Sequence, residues 1–301
     1  MNGQYPMNNK QYNAPITRKT PSMFLFVVDC SSSMADMVIF AGNKTTKANA
    51  VSRIINTTLQ EIASRCKRED GYRNYFDLGV MGYFDDRTEM LLDYLAPGKD
   101  FCSITELTEN EVEEIEYETR RILPDGKYFI TSTRIPNIIH PISSGTTPMG
   151  KAFKKAYTIT KNWITAHKGL NCFPPVIINI SDGEYTDTTE MELKETADKI
   201  KSLHTENGNV LLFNIHLSHD TGKEPVIFPI SEKELNKEDR YANLLYNLSS
   251  ELPDTFFDGI AMIKGLPRTA VKQAKAMGYN SSMTELMRMI NIGSVSITRI
   301  G

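Results

Sequence analysis

The sequence has few cysteines, and no two of them are close together. The four are Cys30, Cys66, Cys102 and Cys172, and they form no CxxC pair. Structural zinc sites and the disulfide frameworks of small secreted domains are recognised by characteristic cysteine spacings. The spacing here argues against both kinds of site and is typical of a protein in a reducing cytosol.

The chain also lacks a long apolar run and an excess of basic residues. No stretch approaches the ~18 apolar residues of a membrane-spanning helix, and residues 1–21 lack the apolar segment of a signal peptide. The net charge of −3 gives no basic surface of the kind that binds nucleic acid. We therefore expect a soluble, cytoplasmic protein that binds neither membranes nor nucleic acid, with a polar, flexible lead-in over residues 1–21.

Segments typical of buried strands alternate with segments typical of helices. The continuous apolar runs are Met23 to Val28, Val176 to Ile180 and Val210 to Leu217. The segments with apolar residues at helical spacing are 46–65, 148–167 and 189–204. Continuous apolar runs are expected of strands that are covered on both faces. The alternation predicts an α/β, Rossmann-like fold with a central, mostly parallel sheet and helices on both faces.

One domain is expected over residues 22–301. Residues 97–141 are expected to be an insertion in it, because they contain too few apolar residues to build a core of their own. Within the insertion, the acidic segment Glu109 to Arg121 is expected to form a short helix, and residues 127–135 are expected to be extended.

The second half of the chain is expected to end in helices. A C-terminal helical extension is predicted from about residue 237, with helices over 237–250 and 282–290.

Three loops at the ends of predicted elements carry oxygen-bearing side chains. The sequence DCSSS follows the first apolar strand, GTTP precedes a helix, and SDGE follows the VIINI strand. Ligands of open parallel α/β sheets bind beyond the carboxyl ends of the strands, so all three loops can reach one place. The candidate ligands there are Asp29, Ser31, Ser33, Thr147 and Asp182.

These side chains offer only oxygen atoms, which small hard cations such as Mg²⁺, or Mn²⁺ or Ca²⁺ in its place, prefer. Asp29, Ser31 and Ser33 are spaced so that they can point to the same position. Because only one or two carboxylates would touch the ion, it would keep positive charge and an open coordination position. We therefore expect a metal-dependent protein-binding module rather than an enzyme, in which an Asp or Glu of a partner protein fills that position.

Each loop also has a simpler explanation when it is taken alone. Ser31 to Ser33 can cap a following helix, since serine is a favoured N-cap. Thr147 can precede a helix that has Pro148 in its first turn, and Asp182-Gly183 can be a plain turn. The occurrence of all three loops together, each at a suitable edge, favours the metal site.

Three motifs resemble a known metal-binding family. VVDCSSSM, SSGTTPMGKAF and VIINISDGEYTD are similar to the three motifs of the metal-ion-dependent adhesion site of von Willebrand factor type A domains. The resemblance implies that Asp29, Ser31 and Ser33 come from the first motif, Thr147 from the second and Asp182 from the third. It also implies that some ligands are direct and others act through water.

The resemblance extends to a bacterial subgroup. FPPVIINISDGEYTD, GNVLLFNIHLS, LLYNLSSELP and NSSMTELMRMINIGS resemble blocks of cytosolic bacterial relatives of the tellurium-resistance protein TerY, over about Met23 to Ser294. The weakest likeness is over residues 98–135. This resemblance implies association with a protein kinase and a PP2C-type phosphatase in a stress-response or signalling complex.

Two other functions remain open from the residues alone. The first is a metal-dependent phosphoryl hydrolase that uses the same site, with Asp29 as nucleophile or metal ligand. Against it, the first loop has serine where a haloacid-dehalogenase-like enzyme places a second Asp, and the sequence has neither a Walker A loop nor a GxSxG motif. The second is a structural subunit whose site binds no partner.

Two further groups of residues are weaker candidates. His216 and His219 end the last buried strand and could form a zinc or catalytic pair, but a role as hydrogen-bonded loop residues is favoured. Glu184, Thr186 and Asp187 follow the third motif and could tune the ion site or contact a partner, although a plain solvated loop is favoured slightly.

Overall fold

The computed structural model describes residues 12–122, 128–217 and 225–279. The strands are β1 (Ser22–Asp29), β2 (Met37–Phe40), β3 (Asn43–Thr46), β4 (Lys67–Arg68), β5 (Gly71–Tyr72), β6 (Phe76–Phe84), β7 (Arg87–Met90), β8 (Cys102–Ser103), β9 (Glu114–Ile122), β10 (Tyr128–Pro136), β11 (Val176–Ser181), β12 (His204–Thr205), β13 (Gly208–Asn209), β14 (Leu211–His216), β15 (Val226–Ile227) and β16 (Met277–Tyr279). The helices are α1 (Lys47–Arg65), α2 (Ile104–Glu109), α3 (Met149–Ala166), α4 (Glu190–Ser202), α5 (Arg240–Leu248) and α6 (Phe257–Lys264). Short 3₁₀ helices cover Ser32–Ala35, Glu232–Glu234, Asp254–Phe256 and Arg268–Val271.

The main sheet has the strand order β15-β16-β14-β11-β1-β6-β7, with β8 paired to β6. The five strands from β16 to β6 run parallel to their neighbours, and β15, β7 and β8 are antiparallel edge pieces. The sequence-based prediction of a central, mostly parallel sheet is therefore confirmed.

Helices cover both faces of this sheet, because the central strands are apolar on both sides. Along β1, Phe24 and Phe26 pack into one cluster, which includes Ile55 of α1. The alternate residue Leu25 packs into the other cluster, with Phe153 of α3. Successive side chains of a strand point to opposite faces, so a continuous apolar run contributes to both cores. The predicted placement of helices on the two faces is confirmed.

The segment predicted as an acidic helix, Glu109 to Arg121, is a strand over most of its length. β9 pairs with β10 in an antiparallel hairpin, and its register joins Tyr117 to Thr133. The physical reason is the alternation in EIEYET: Ile115, Tyr117 and Thr119 are half-buried, and the residues between them are exposed. That period of two favours a strand. The extended structure that was predicted for residues 127–135 is confirmed from residue 128 onward; residue 127 lies outside the described residues.

A second hairpin lies between the first candidate loop and helix α1. β2 and β3 are joined by a tight turn at Ala41 and Gly42, which have φ values of 52° and 77°. The hairpin contacts the β9–β10 hairpin, where the N–H of Arg120 donates to the carbonyl of Ala41 over 3.0 Å. It therefore connects the predicted insertion to the edge that carries the candidate site.

Residues 12–21 were predicted to belong to a flexible lead-in, and the structure corrects this. Ile16 is 1% exposed and lies in the same cluster as β1. The N–H groups of Asn13 and Ala14 both donate to the side-chain oxygen of Asn207 over 3.0 Å. An apolar side chain and two backbone donors thus tie this segment to the domain.

The C-terminal part of the domain is more than a helical extension. Helix α5 lies within the predicted segment 237–250, and α6 follows it. After them, β16 joins the main sheet parallel to β14, with Ile215 paired to Gly278. The predicted helix over 282–290 lies outside the described residues.

Candidate functional site

The site lies where two neighbouring parallel strands end. Val28 of β1 is paired with Ile180 of β11. The next residues along the two strands are Asp29 and Ser181, and Asp182 follows. The hydroxyl of Ser181 donates a hydrogen bond of 3.0 Å to the Oδ2 atom of Asp29. The register of the sheet therefore brings the first and third predicted loops together.

The first loop folds back on Asp29. The Oδ1 atom of Asp29 accepts a hydrogen bond of 2.9 Å from the N–H of Ser31. The hydroxyls of Ser31 and Ser33 lie 3.1 Å apart, so these two serines face the same position. Ser31 precedes the 3₁₀ helix Ser32–Ala35, but its side chain caps none of the described backbone N–H groups of that helix. The capping explanation for Ser31 is therefore not supported.

The second loop is joined to the first by the backbone. The N–H of Ser32 donates to the carbonyl of Gly145 over 3.1 Å, and the N–H of Ser144 donates to the carbonyl of Cys30 over 2.8 Å. Gly145 has a φ of 57°, and a Cβ atom on it would lie 1.7 Å from the Oδ1 atom of Asp85. Only a glycine can therefore let this loop approach the β6–β7 turn so closely.

Thr147 is held by the third loop. It is 4% exposed. Its N–H donates to the hydroxyl of Thr186 over 3.2 Å, and its carbonyl accepts from the N–H of Thr186 over 3.0 Å. Helix α3 begins at Met149, with Pro148 as its N-cap residue. Backbone bonds thus link the second loop to both of the others.

Two buried carboxylates form the centre of the site. Asp29 is 1% exposed and Asp182 is 2% exposed. Burial, followed by the neighbouring charge of Asp182, raises the pKa of Asp29 to about 7. Both effects disfavour the ionised form of an acid. The two aspartates therefore lack enough positive charge nearby to keep Asp29 fully ionised at neutral pH.

A lysine that the sequence analysis did not single out enters the site from α1. The Nζ atom of Lys47 lies 3.3 Å from the Oδ2 atom of Asp182, and the side chains of both residues are 1% exposed. Lys47 is the first residue of a helix, where the helix dipole disfavours a cation. That unfavourable position was the signal in the sequence that could have identified it. Ser181 was also missed, although it directly precedes Asp182.

The donor set fits a hard cation. All five predicted ligands, Asp29, Ser31, Ser33, Thr147 and Asp182, present oxygen atoms, and their three loops converge at one edge of the sheet. Within residues 12–122, 128–217 and 225–279, no three or more His, Cys, Asp or Glu side chains cluster as metal ligands. A metal at this site would therefore depend on hydroxyls beside two carboxylates, as Mg²⁺ sites can.

The weaker candidates have structural roles. The Nε2 atom of His216 lies 2.9 Å from the Oδ2 atom of Asp239, which caps helix α5; His219 lies outside the described residues. Asp187 accepts hydrogen bonds from the N–H groups of Gly150 and Lys151 at the start of α3. These contacts give both side chains a structural role, although the Nδ1 atom of His216 is buried and has no hydrogen-bond partner among the described residues.

Cys30, next to Asp29, has the properties of a core residue. It is 3% exposed, and burial, followed by the charge of Asp29, raises the pKa of its thiol to about 12. A thiol with such a pKa stays protonated and is a poor nucleophile at neutral pH.

In the part of the chain that the structure describes, no helix combines the length and apolar character that crossing a bilayer requires.

Comparison with known proteins gives similarity at the level of structure only. No protein-family model matches the chain, and no curated protein matches it. Similar solved structures include a von Willebrand factor type A protein from Catenulispora acidiphila, with 10% identity, a TM-score of 0.42, and coverage of 94% of this chain and 43% of that chain. The chain thus spans less than half the length of that protein.

Two other similar structures are matched over nearly their whole length. The von Willebrand factor domain of a type V pili tip protein from Porphyromonas gingivalis has 11% identity and a TM-score of 0.43, and the match covers 94% of this chain and 97% of that one. The conserved hypothetical protein BatB from Bacteroides thetaiotaomicron has 12% identity and a TM-score of 0.40, with 91% and 99% covered. At such identities and TM-scores these similarities carry no argument about function, which has to come from the site.

Proposed function

We propose that this chain is a von Willebrand factor type A-like domain that binds a divalent cation and, through it, an acidic side chain of a partner protein. The ligands would be Asp29, Ser31, Ser33, Thr147 and Asp182, with Mg²⁺ as the ion and Mn²⁺ or Ca²⁺ as substitutes. The observation that carries the proposal is the pair of buried aspartates at the ends of β1 and β11, with the pKa of Asp29 raised to about 7.

Burial of two neighbouring carboxylates is unfavourable unless positive charge compensates for it. A divalent cation would supply that charge and would favour the ionised form of Asp29. The hydroxyls of Ser31 and Ser33, 3.1 Å apart, would add neutral oxygen ligands beside the carboxylates. The buried negative charge and the oxygen donors of the site therefore both favour a bound divalent cation.

The charge balance favours an anionic partner group. Two carboxylates compensate a divalent ion, and Lys47, at 3.3 Å from Asp182, adds a further positive charge that the exposed Asp36, at 3.7 Å, offsets in part. An aspartate or glutamate of a partner would meet this excess positive charge and could enter the coordination shell. Its attraction depends on the metal, because in the ion-free site the charge of Lys47 is paired with Asp182 and no coordination position is open to a carboxylate.

The setting of this interaction is proposed from the sequence resemblance alone. The likeness to cytosolic bacterial relatives of TerY suggests a protein kinase and a PP2C-type phosphatase as the partners. The complex would then act in stress response or signalling in the cytoplasm, with this chain as its metal-dependent adaptor.

The first test is direct measurement of ion binding. Mn²⁺ can be titrated into the EDTA-treated protein and followed by electron paramagnetic resonance, with Mg²⁺ competition and thermal unfolding in parallel. Thr147→Ala is expected to weaken Mn²⁺ binding at least tenfold. Thr165→Ala is the matched control, since the Thr165 hydroxyl bonds only within α3 among the described contacts. Equal Mn²⁺ affinities for the two variants would contradict the assignment of Thr147.

The second test separates binding from catalysis. The candidate kinase and phosphatase are added to immobilised protein in Mg²⁺ or in EDTA, and acidic residues of the captured partner are then neutralised one at a time. Mg²⁺-dependent capture that is lost in Asp182→Ala and in one acidic partner variant supports the proposal. Turnover of phosphoesters that is lost in Asp29→Ala would support the hydrolase instead.

A further inference from the structure

Lys47 connects the candidate metal site to a second carboxylate outside it. Its Nζ atom lies 3.3 Å from the Oδ2 atom of Asp182 and 3.7 Å from the Oδ2 atom of Asp36. The two carboxylates differ in environment, because the side chain of Asp182 is 1% exposed and that of Asp36 is 51% exposed. The ammonium group thus lies between a buried and a solvated acid.

The fold holds Lys47 and Asp36 next to each other. The N–H of Lys47 donates to the carbonyl of Asp36 over 2.9 Å, which closes the β2–β3 hairpin at its base. In the same hairpin, Met37 pairs with Thr46, the residue that caps α1. The short distance between the two side chains therefore follows from the backbone.

A lysine at this position is unfavourable unless its positive charge is compensated by a nearby negative charge. It is the first residue of α1, where the helix dipole repels cations, and its side chain is 1% exposed. A buried ammonium needs carboxylate partners to offset its desolvation. Asp182 is this carboxylate partner, and it is also a proposed metal ligand. The Lys47 ammonium and a divalent ion would therefore compete for the negative charge of Asp182.

We propose that Lys47 is a tethered cation that neutralises Asp182 in the metal-free protein and turns to Asp36 when the divalent ion binds. It holds the metal-free site together and lowers the affinity for the ion, since two neighbouring cations repel each other. This inference rests on the proposed function, because it needs a divalent ion to bind at Asp182.

The test is a double-mutant cycle on Mn²⁺ affinity, measured by electron paramagnetic resonance and calorimetry. Lys47→Met removes the competing charge with little change in length, and it is expected to tighten Mn²⁺ binding at least tenfold. Asp36→Asn removes the alternative partner of the ammonium and is expected to weaken Mn²⁺ binding. In the Lys47→Met background, Asp36→Asn is expected to have a much smaller effect.

Thermal unfolding gives a second readout that does not depend on a partner. Because Lys47→Met lacks the internal cation, it is expected to unfold at a lower temperature than the original protein in EDTA. Added Mn²⁺ is expected to raise its unfolding temperature by more than that of the original protein. Lys44→Met is the matched control, because Lys44 is exposed on β3 and its loss changes the net charge equally. Its Mn²⁺ affinity is expected to change less than twofold.

The outcomes are distinguishable. If the original protein binds Mn²⁺ and Lys47→Met binds it equally or more weakly, the inference about Lys47 is wrong while the metal site stands. If neither protein binds Mn²⁺, the proposed function fails as well. If Lys47→Met does not fold, Lys47→Gln is used in its place. The side chain of Asp36 is half-exposed, so Asp36→Asn is expected to fold, and an unchanged Mn²⁺ affinity in that variant would by itself overturn the inference.

Discussion

The hydroxyl of Ser181 and the carboxylate of Asp29 join the ends of two parallel strands through a hydrogen bond of 3.0 Å. The bond is made to Oδ2, while Oδ1 accepts from the N–H of Ser31 over 2.9 Å. Ser181 is itself fixed, because its oxygen accepts from the N–H of Gly183 over 2.8 Å. Both oxygens of Asp29 are therefore oriented by the first and third loops together.

This bond predicts a positioning role for Ser181 in metal binding. Ser181→Ala is expected to lower the affinity for Mg²⁺ by about tenfold, as loss of a hydrogen bond that orients a ligand commonly does. The cost in stability is expected to be about 1 kcal/mol, the usual net value of one hydrogen bond. Calorimetric titration with Mg²⁺ and urea unfolding in EDTA measure the two effects.

Ser202→Ala serves as the control for Ser181→Ala. Ser202 is exposed at the end of α4, and its hydroxyl bonds to the carbonyl of Lys199 over 2.7 Å. Its Mg²⁺ affinity is expected to match that of the original protein. If Ser181→Ala also retained full Mg²⁺ affinity, the orientation of Asp29 would not depend on this bond.

The two central aspartates are expected to affect the metal-free protein in opposite directions. Asp29→Asn removes a buried charge that Asp182 repels, so the free energy of unfolding in EDTA at pH 8 is expected to rise by about 2 kcal/mol. Asp182→Asn leaves the Lys47 ammonium buried beside a neutral amide, and is expected to cost about 2 kcal/mol or more. Both variants are expected to lose stabilisation by Mg²⁺. Urea unfolding with and without the ion measures all four values.

The pH dependence of the Asp29→Asn effect follows from the raised pKa of Asp29. The folded protein holds a proton on Asp29 up to about pH 7, whereas the unfolded chain releases it near pH 4. The stability of the original protein in EDTA therefore falls as the pH rises between these values. The advantage of Asp29→Asn is expected to grow from pH 4 to pH 7 and then level off. An advantage that is independent of pH would contradict this cause.

The sequence was sufficient to predict the sheet because its central strands are apolar on both faces. Runs such as MFLFVV and VIINI have one plausible structure in an alternating α/β chain. Loops at the carboxyl ends of parallel strands lie at one edge of the sheet; the structure adds that β1 and β11 are neighbours, with Val28 paired to Ile180. The convergence of the DCSSS and SDGE loops could thus be predicted without coordinates.

The features that could not be predicted depend on contacts between distant segments. The acidic character of β9 hid its alternating pattern, and its inner residue Tyr117 gains its partner only in the fold, where the guanidinium of Arg53 lies 4.6 Å from its ring centre. Similarly, the position of Lys47 at a helix start is unusual for a lysine, but it does not show that the side chain is buried. Its burial follows from the β2–β3 hairpin that brings Asp36 beside it, and no local pattern encodes that approach.

Gly145 provides the last prediction, which concerns the shape of the second loop. Its φ is 57°, and an added Cβ would lie 1.7 Å from the Oδ1 atom and 3.1 Å from the Cα atom of Asp85. That aspartate also accepts a hydrogen bond of 2.8 Å from Ser144, which its side chain would have to give up in order to withdraw. Gly145→Ala therefore combines backbone strain with a steric clash, and is expected to cost about 3 kcal/mol in urea unfolding.

Gly98 offers a control that isolates the backbone strain. Its φ is 72°, and an added Cβ would meet none of the described atoms within 4 Å, so Gly98→Ala is expected to cost only about 1 kcal/mol. The carbonyl of Gly145 also accepts from Ser32, and a displaced loop would move Thr147 away from the first loop. Gly145→Ala is therefore expected to lose Mg²⁺ stabilisation in thermal unfolding, whereas Gly98→Ala keeps it. Equal costs and equal Mg²⁺ responses in the two variants would show that the close approach of Gly145 to Asp85 does not shape the site.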